Sequence, residues 1–149
     1  MAKKVVNTSG KRKTAVARAT VQKGKGLIRI NKTPVELHQP EIARWKILEA
    51  ITLAGNTINN LNIDVNVQGG GFMSQANAIR TAIARGIIEF TDDQTLKNAY
   101  IEYDRSLLVN DPRRKETKKP LGKGARKKRQ KSYRWSYWLY QLDVSHVEK

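Results

Sequence analysis

The sequence predicts an α+β domain, with helices packed on one face of a small sheet and an extended basic C-terminal arm. Three observations carry that expectation. Apolar residues alternate at Ala15, Ala17, Ala19 and Val21, and again at Ile63, Val65 and Val67, the period of a half-buried strand. They recur at helical spacing at Ile42, Trp45, Leu48 and Ile51, and later at Ile79, Ile83 and Ile87. Between Pro112 and Arg134, twelve basic residues stand against one acid, Glu116, with almost no large apolar residue. Strands first and helices later imply one layer of each.

Taken in order, Thr14 to Gln22 reads as a strand, Lys23-Gly24-Lys25-Gly26 as a turn, and Leu27 to Asn31 as a second strand. Thr33 to Leu37 continues in extended form. Pro40 suits a helix start, because its missing N–H costs nothing there. Glu41 to Ala54 is then an amphipathic helix that presents Ile42, Trp45, Leu48 and Ile51 to the core and stops before Gly55. After the Ile63–Val67 strand, Gly69-Gly70-Gly71 ends the pairing. Ser74 is the expected N-cap of a helix that buries Ala76, Ile79, Ile83, Ile87 and Phe90. Thr91 and Gln94 have capping-box spacing for a third helix, with Leu96, Ala99, Tyr100, Tyr103 and Leu107 on its apolar face. Residues 1–111 are the expected globular body, 112–134 the arm, and 135–149 an aromatic extension.

Composition bounds the function. The 149 residues carry 29 Lys and Arg against 13 Asp and Glu, a formal charge of +16. Such a surplus calls for a polyanion: nucleic acid first, an anionic membrane surface second. No apolar run approaches the roughly 18 residues of a spanning helix, and the N-terminus lacks the apolar stretch of a signal peptide. With no cysteine, disulfide and thiolate chemistry are excluded, which fits a cytoplasmic protein. His38 and His146 have no partners at metal-ligand spacing. Asp92-Asp93 is expected in the first turn of a helix, where the dipole favours acids, rather than in acid–base catalysis. No catalytic constellation appears, and no cofactor, metal or small-molecule substrate is expected.

The candidate binding residues are the cations. Lys11, Arg12 and Lys13 precede a strand, with Lys11 and Lys13 on one side and Arg12 on the other if pairing has begun there. Either a solvated strand entry or an RNA contact fits them. Gly69 to Arg80 couples glycines to a helix N-terminus, which suits a tight turn with or without a backbone phosphate contact. It lacks the Gly-Lys-Ser/Thr ending of a nucleotide loop. Arg80 and Arg85 fall off the apolar stripe of that helix, and so face either solvent or phosphate. The arm spans roughly 75 Å if fully extended, at about 3.3 Å per residue. Alone it buries too little surface to order itself, so it folds on RNA.

Three stretches, GKRKTAVARATV (10–21), QGGGFMSQANAIRTAIARGI (68–87) and DPRRKETKKPLGKGARKKRQKSYR (111–134), together resemble the S9 proteins of the small ribosomal subunit. The ending Lys131-Ser132-Tyr133-Arg134 resembles the archaeal and eukaryotic type. The resemblance implies a fold like the second domain of ribosomal protein S5, with a left-handed βαβ crossover. It implies contact with the 3′ major domain of small-subunit rRNA in the head, with neighbouring head proteins, and with the anticodon stem-loop of P-site tRNA. Lys11, Arg12, Lys13, Arg80, Arg85, Arg113, Arg114, Lys118, Lys119, Arg126, Lys127, Lys128 and Arg129 are then rRNA contacts, and Lys131, Tyr133 and Arg134 lie near tRNA. The family pattern stops at Arg134, whereas this chain continues with Trp135 to Lys149. Those fifteen residues suit stacking on unpaired bases or docking on a neighbouring protein. The rival reading is a free-standing nucleic-acid-binding protein such as a chaperone or regulator.

Overall fold

The computed structural model describes residues 4–127. The chain divides after Arg113 into two compact units. The first holds all the regular secondary structure found among the described residues. Val5–Arg12 (β1) and Ala15–Lys23 (β2) form an antiparallel hairpin that pairs Arg12 with Ala15. Lys13 and Thr14 are left as the turn, and Lys13 takes a left-handed φ of 53°. The sheet therefore opens with a strand, β1, that alternation alone does not suggest, while the strand expected from Thr14 begins at Ala15. The half-buried or buried positions of β1 are Val6, Thr8, Gly10 and Arg12, which give no apolar alternation.

Ile28–Ile30 (β3), Thr33–Pro34 (β4) and Leu61–Gln68 (β5) complete a mixed sheet of order β1-β2-β5-β3-β4. The β3–β5 pair is parallel and the others are antiparallel. The extended run expected to Leu37 ends at Pro34, and Val35–Leu37 is a 3-10 turn that buries Val35. One face of the sheet is fully covered: Ala15, Ala17, Ala19 and Val21 on β2 and Leu61, Ile63, Val65 and Val67 on β5 are all buried.

Glu41–Ala54 (α1) links β3 to β5 and has the bounds that its periodicity predicts. Its buried face is only partly the expected one, since Leu48 and Ile51 pack half-buried against the core. Ala43, Ile47, Ala50 and Ala54 are buried, whereas Ile42 and Trp45 are 68% and 61% exposed. The buried side of α1 is built mainly of alanines, and the helix lies against the next one. The large apolar side chains at Ile42 and Trp45 are left outward.

Phe72–Thr91 (α2) lies on β1, β2 and β5 and against α1. It starts two residues before Ser74, with Gly71 at the N-cap position. Every residue from Ala78 to Ala84 is buried, so this helix has no polar face in its middle. Thr91 ends α2 rather than opening the third helix. Asp92 is its left-handed C-cap (φ 54°), and Asp93 caps Gln94–Tyr103 (α3) by accepting from the Thr95 amide. A hydrogen bond from the Thr95 hydroxyl, with that from the Thr95 amide, holds the Asp93 carboxyl below its ordinary range. Tyr100 of α3 is buried and donates to the Ala50 carbonyl of α1 at 2.7 Å, while Ala99 and Tyr103 face outward.

Candidate nucleic-acid interface

The basic residues fall into two groups with different surroundings. Lys11 and Arg12 end β1, and Lys13 forms the hairpin turn, so the expected pairing of Lys11 and Lys13 on one strand side does not arise. The hairpin end is fastened to the last residues of the first unit. The Lys11 amide donates to the Asn110 side chain at 3.2 Å, and Arg12 Nη1 donates to the Arg113 carbonyl at 3.0 Å. Arg12 Nη2 lies 3.1 Å from the Asp111 carboxylate. Arg113 wraps the same carboxylate, with Nη2 at 2.6 Å and its amide at 2.9 Å. Hydrogen bonding from Arg113, reinforced by the charges of Arg113 and Arg12, pulls Asp111 down to about 2.

Arg80 is a correction to the sequence reading. It does not fall on an outward face but is 3% exposed. Its Nη1 pairs with Glu49 of α1, and its Nη2 lies 3.0 Å from Asp104 and 2.6 Å from the Ser106 hydroxyl. Asp104 also accepts from the Ser106 amide and hydroxyl. Desolvation alone would raise the Asp104 carboxyl, but the Ser106 hydrogen bonds and Arg80 together outweigh it and leave it lowered. A buried guanidinium needs such partners, because an unpaired charge in the interior is costly. Arg85 is half-buried, and it donates to the Leu108 carbonyl at 2.8 Å and the Ser9 carbonyl at 2.7 Å. Both arginines hold the fold together, which periodicity could not reveal. Their carbonyl and carboxylate partners lie 23 to 76 residues away in sequence.

The glycine run is a packed turn. Gly69 and Gly70 have φ of 74° and 71°, and a Cβ on Gly69 would lie 2.7 Å from the Thr14 carbonyl oxygen. Only glycine fits there without strain.

In the second unit, residues 114–119 have no regular structure and turns follow to residue 126. Arg114, Lys118, Lys119, Arg126 and Lys127 are exposed. The stretch is not uniformly extended, since Arg126 closes back on Glu116 at 2.7 Å. Lys128, Arg129, Lys131, Tyr133, Arg134 and the segment 135–149 lie outside the described residues. Among the described residues no helix is long and apolar enough to cross a membrane, and no cluster of His, Cys, Asp and Glu could hold a metal.

A dense basic surface is what a nucleic-acid scaffold presents. Residues 10–134, most of the chain, match the profile of the family described as ribosomal protein S9/S16. The chain belongs to the ribosomal S9 family. It is 58% identical to small ribosomal subunit protein uS9 of Methanothrix thermoacetophila over 131 residues, covering 88% of this chain and 99% of that protein. It is 57% identical to the uS9 of Halobacterium salinarum over 131 residues, covering 87% and 99%. As an S9 protein it is a structural ribosomal protein of the small subunit and not an enzyme. The S9 match closes at Arg134, where the arm pattern closes.

Proposed function

We propose that this S9 protein binds small-subunit rRNA in the head, in the 3′ major domain, beside neighbouring head proteins. Its fold is that of the second domain of ribosomal protein S5 with a left-handed crossover, a reading supported by the parallel β3–β5 pair joined through α1. The rRNA contacts are Lys11, Arg12, Lys13, Arg113, Arg114, Lys118, Lys119, Arg126, Lys127, Lys128 and Arg129. Arg80 and Arg85 act behind them by fixing the elements that present Lys11 to Arg113. The arm continues toward the anticodon stem-loop of P-site tRNA, with Lys131, Tyr133 and Arg134 nearest.

The observation that carries this reading is the twelve cations between Pro112 and Arg134, all inside the S9 match. Those cations meet phosphates and release counterions, which gives sequence-independent grip. Deleting residues 129–149 tests the reach. The truncated protein should still co-migrate with small subunits on a sucrose gradient, while those subunits bind P-site tRNA more weakly. Unchanged tRNA affinity in truncated subunits refutes the tRNA contact. Loss of co-migration at moderate salt by the full chain favours a free-standing RNA-binding protein.

A further inference from the structure

The second face of the sheet is polar and open. Asn7 and Ser9 of β1, Arg18 and Thr20 of β2, and Asn66 and Gln68 of β5 alternate with the buried positions, and all but the half-buried Thr20 are exposed. They line a concavity of about 1040 Å³. The register sets them in rows: Ser9, Arg18 and Asn66 are neighbours across three strands, as are Asn7, Thr20 and Asp64. Neighbouring strands lie about 4.8 Å apart, so each row spans roughly 10 Å.

The residues on this face run against strand propensity. Asparagine is depleted in strands, yet Asn7, Asn62 and Asn66 all stand here. Two of them serve the fold. Asn7 accepts from the Thr20 hydroxyl at 2.9 Å, and Asn62 accepts from the Lys25 and Leu27 amides at 2.9 and 3.2 Å. Asn66, with Arg18 opposite it and Gln68 two residues on, is different. None of these three side chains makes a hydrogen bond or ion pair among the described residues. A local rule broken without a structural return marks a functional surface. Lys11, Arg18 and Arg29 stand on the face against one acid, Asp64, which is opposite Arg29 in the register. The face is therefore cationic and suited to a polyanion. No aromatic residue occurs in β1, β2, β3 or β5, so it has no platform on which unpaired bases could stack. An RNA helix asks for the opposite. Its minor groove is wide and shallow and displays 2′-hydroxyls and base edges, which side-chain amides meet as both donors and acceptors.

We infer that this open face lies in the minor groove of an RNA helix, with Asn66 and Gln68 bonded to ribose 2′-hydroxyls and base edges and Arg18 reaching a flanking phosphate. The inference rests on the RNA-binding reading and goes beyond it in kind. Cations that meet phosphates grip any nucleic acid, whereas this face separates an RNA duplex from DNA and from an unpaired strand.

The test follows the side-chain amide resonances of Asn66 and Gln68 in the nitrogen-labelled full-length protein, at constant ionic strength. The probes are a blunt RNA duplex, the DNA duplex of the same sequence and the single RNA strand. The expected result is a saturable shift of both amides with the RNA duplex and with neither of the others. Asn66→Ala, which removes an exposed side chain, should weaken RNA-duplex binding about fivefold, the worth of one neutral hydrogen bond. The salt dependence should keep its slope in that variant, because an amide releases no counterion. Equal shifts with the DNA duplex overturn the 2′-hydroxyl contact, and shifts with the single strand alone overturn the duplex assignment. RNA-duplex binding that leaves both amides unmoved overturns the inference while the RNA-binding reading stands. If the full chain binds no RNA at all, that reading fails with it.

Discussion

Gly10 of β1 lies directly against the Ala78 carbonyl of α2: a Cβ at Gly10 would fall 2.1 Å from that oxygen and 2.8 Å from the Ala82 amide nitrogen. The helix backbone thus rests on the strand with no side chain between them. Gly10→Ala should therefore cost about 1–3 kcal/mol, the range of overpacking in a tight core, and toward its upper end because helix backbone cannot yield as a side chain does. Urea denaturation of the variant and the parent measures it. A change below about 0.5 kcal/mol contradicts the contact.

The face that α1 buries gives a paired prediction. Ile47 is fully buried, and Ile47→Ala should cost about 2–5 kcal/mol. Trp45 is 61% exposed, so Trp45→Ser should leave the stability of the isolated protein within about 0.5 kcal/mol. If Trp45→Ser unfolds the protein, the outward face assigned here is wrong.

How much of this was legible is clearest in α1. Its bounds follow from Pro40 and Gly55, which punctuate the chain locally. Its buried face followed only in part: hydrophobic size pointed to Ile42 and Trp45, which face outward, while Ala43, Ala50 and Ala54 are buried. The same physics hid β1: Gly10 and Thr8 face α2, and Thr8 donates to the Ala82 carbonyl at 2.8 Å in place of apolar packing. Strands β2 and β5 were readable because their inward positions are apolar throughout. At the interface, Lys11, Arg12 and Lys13 stood out as a run of charge. Arg80 looked like one more surface cation, since its partners Glu49, Asp104 and Ser106 converge on it only after folding.

Removing Arg80 tests that convergence. Arg80→Met leaves Asp104 without its cation and Glu49 with Lys46 alone, and should destabilise the protein by about 3 kcal/mol. The value sits at the low end for a broken buried pair because both carboxylates keep some access to water, with 23% and 36% of their side chains exposed. Thermal or urea unfolding checks it. A stability equal to that of the parent means the network contributes nothing net.

The latch at the end of the first unit should be acid-sensitive. Asp111 titrates at about 2 in the fold against an ordinary value of 3.8. A depressed carboxyl stabilises the fold above its unfolded value and loses that contribution as pH falls through the folded one. The stability that Asp111 contributes should therefore be present above about pH 3.8 and be lost as pH falls from there to about 2, while its contacts with Arg12 and Arg113 release only near the lower value. The Asp111 carboxyl carbon, followed by NMR, should titrate near the lower value. A midpoint near 3.8 contradicts the latch.

The central claim is that RNA phosphates neutralise this chain's cations, and salt dependence addresses it most directly. If about half of the twelve cations between Pro112 and Arg134 meet phosphates, the logarithm of the full chain's affinity for head-domain rRNA should fall against the logarithm of salt with a slope of about −4 to −5. A slope between zero and about −1 would contradict the account, because binding would then owe almost nothing to the polycation that defines the chain.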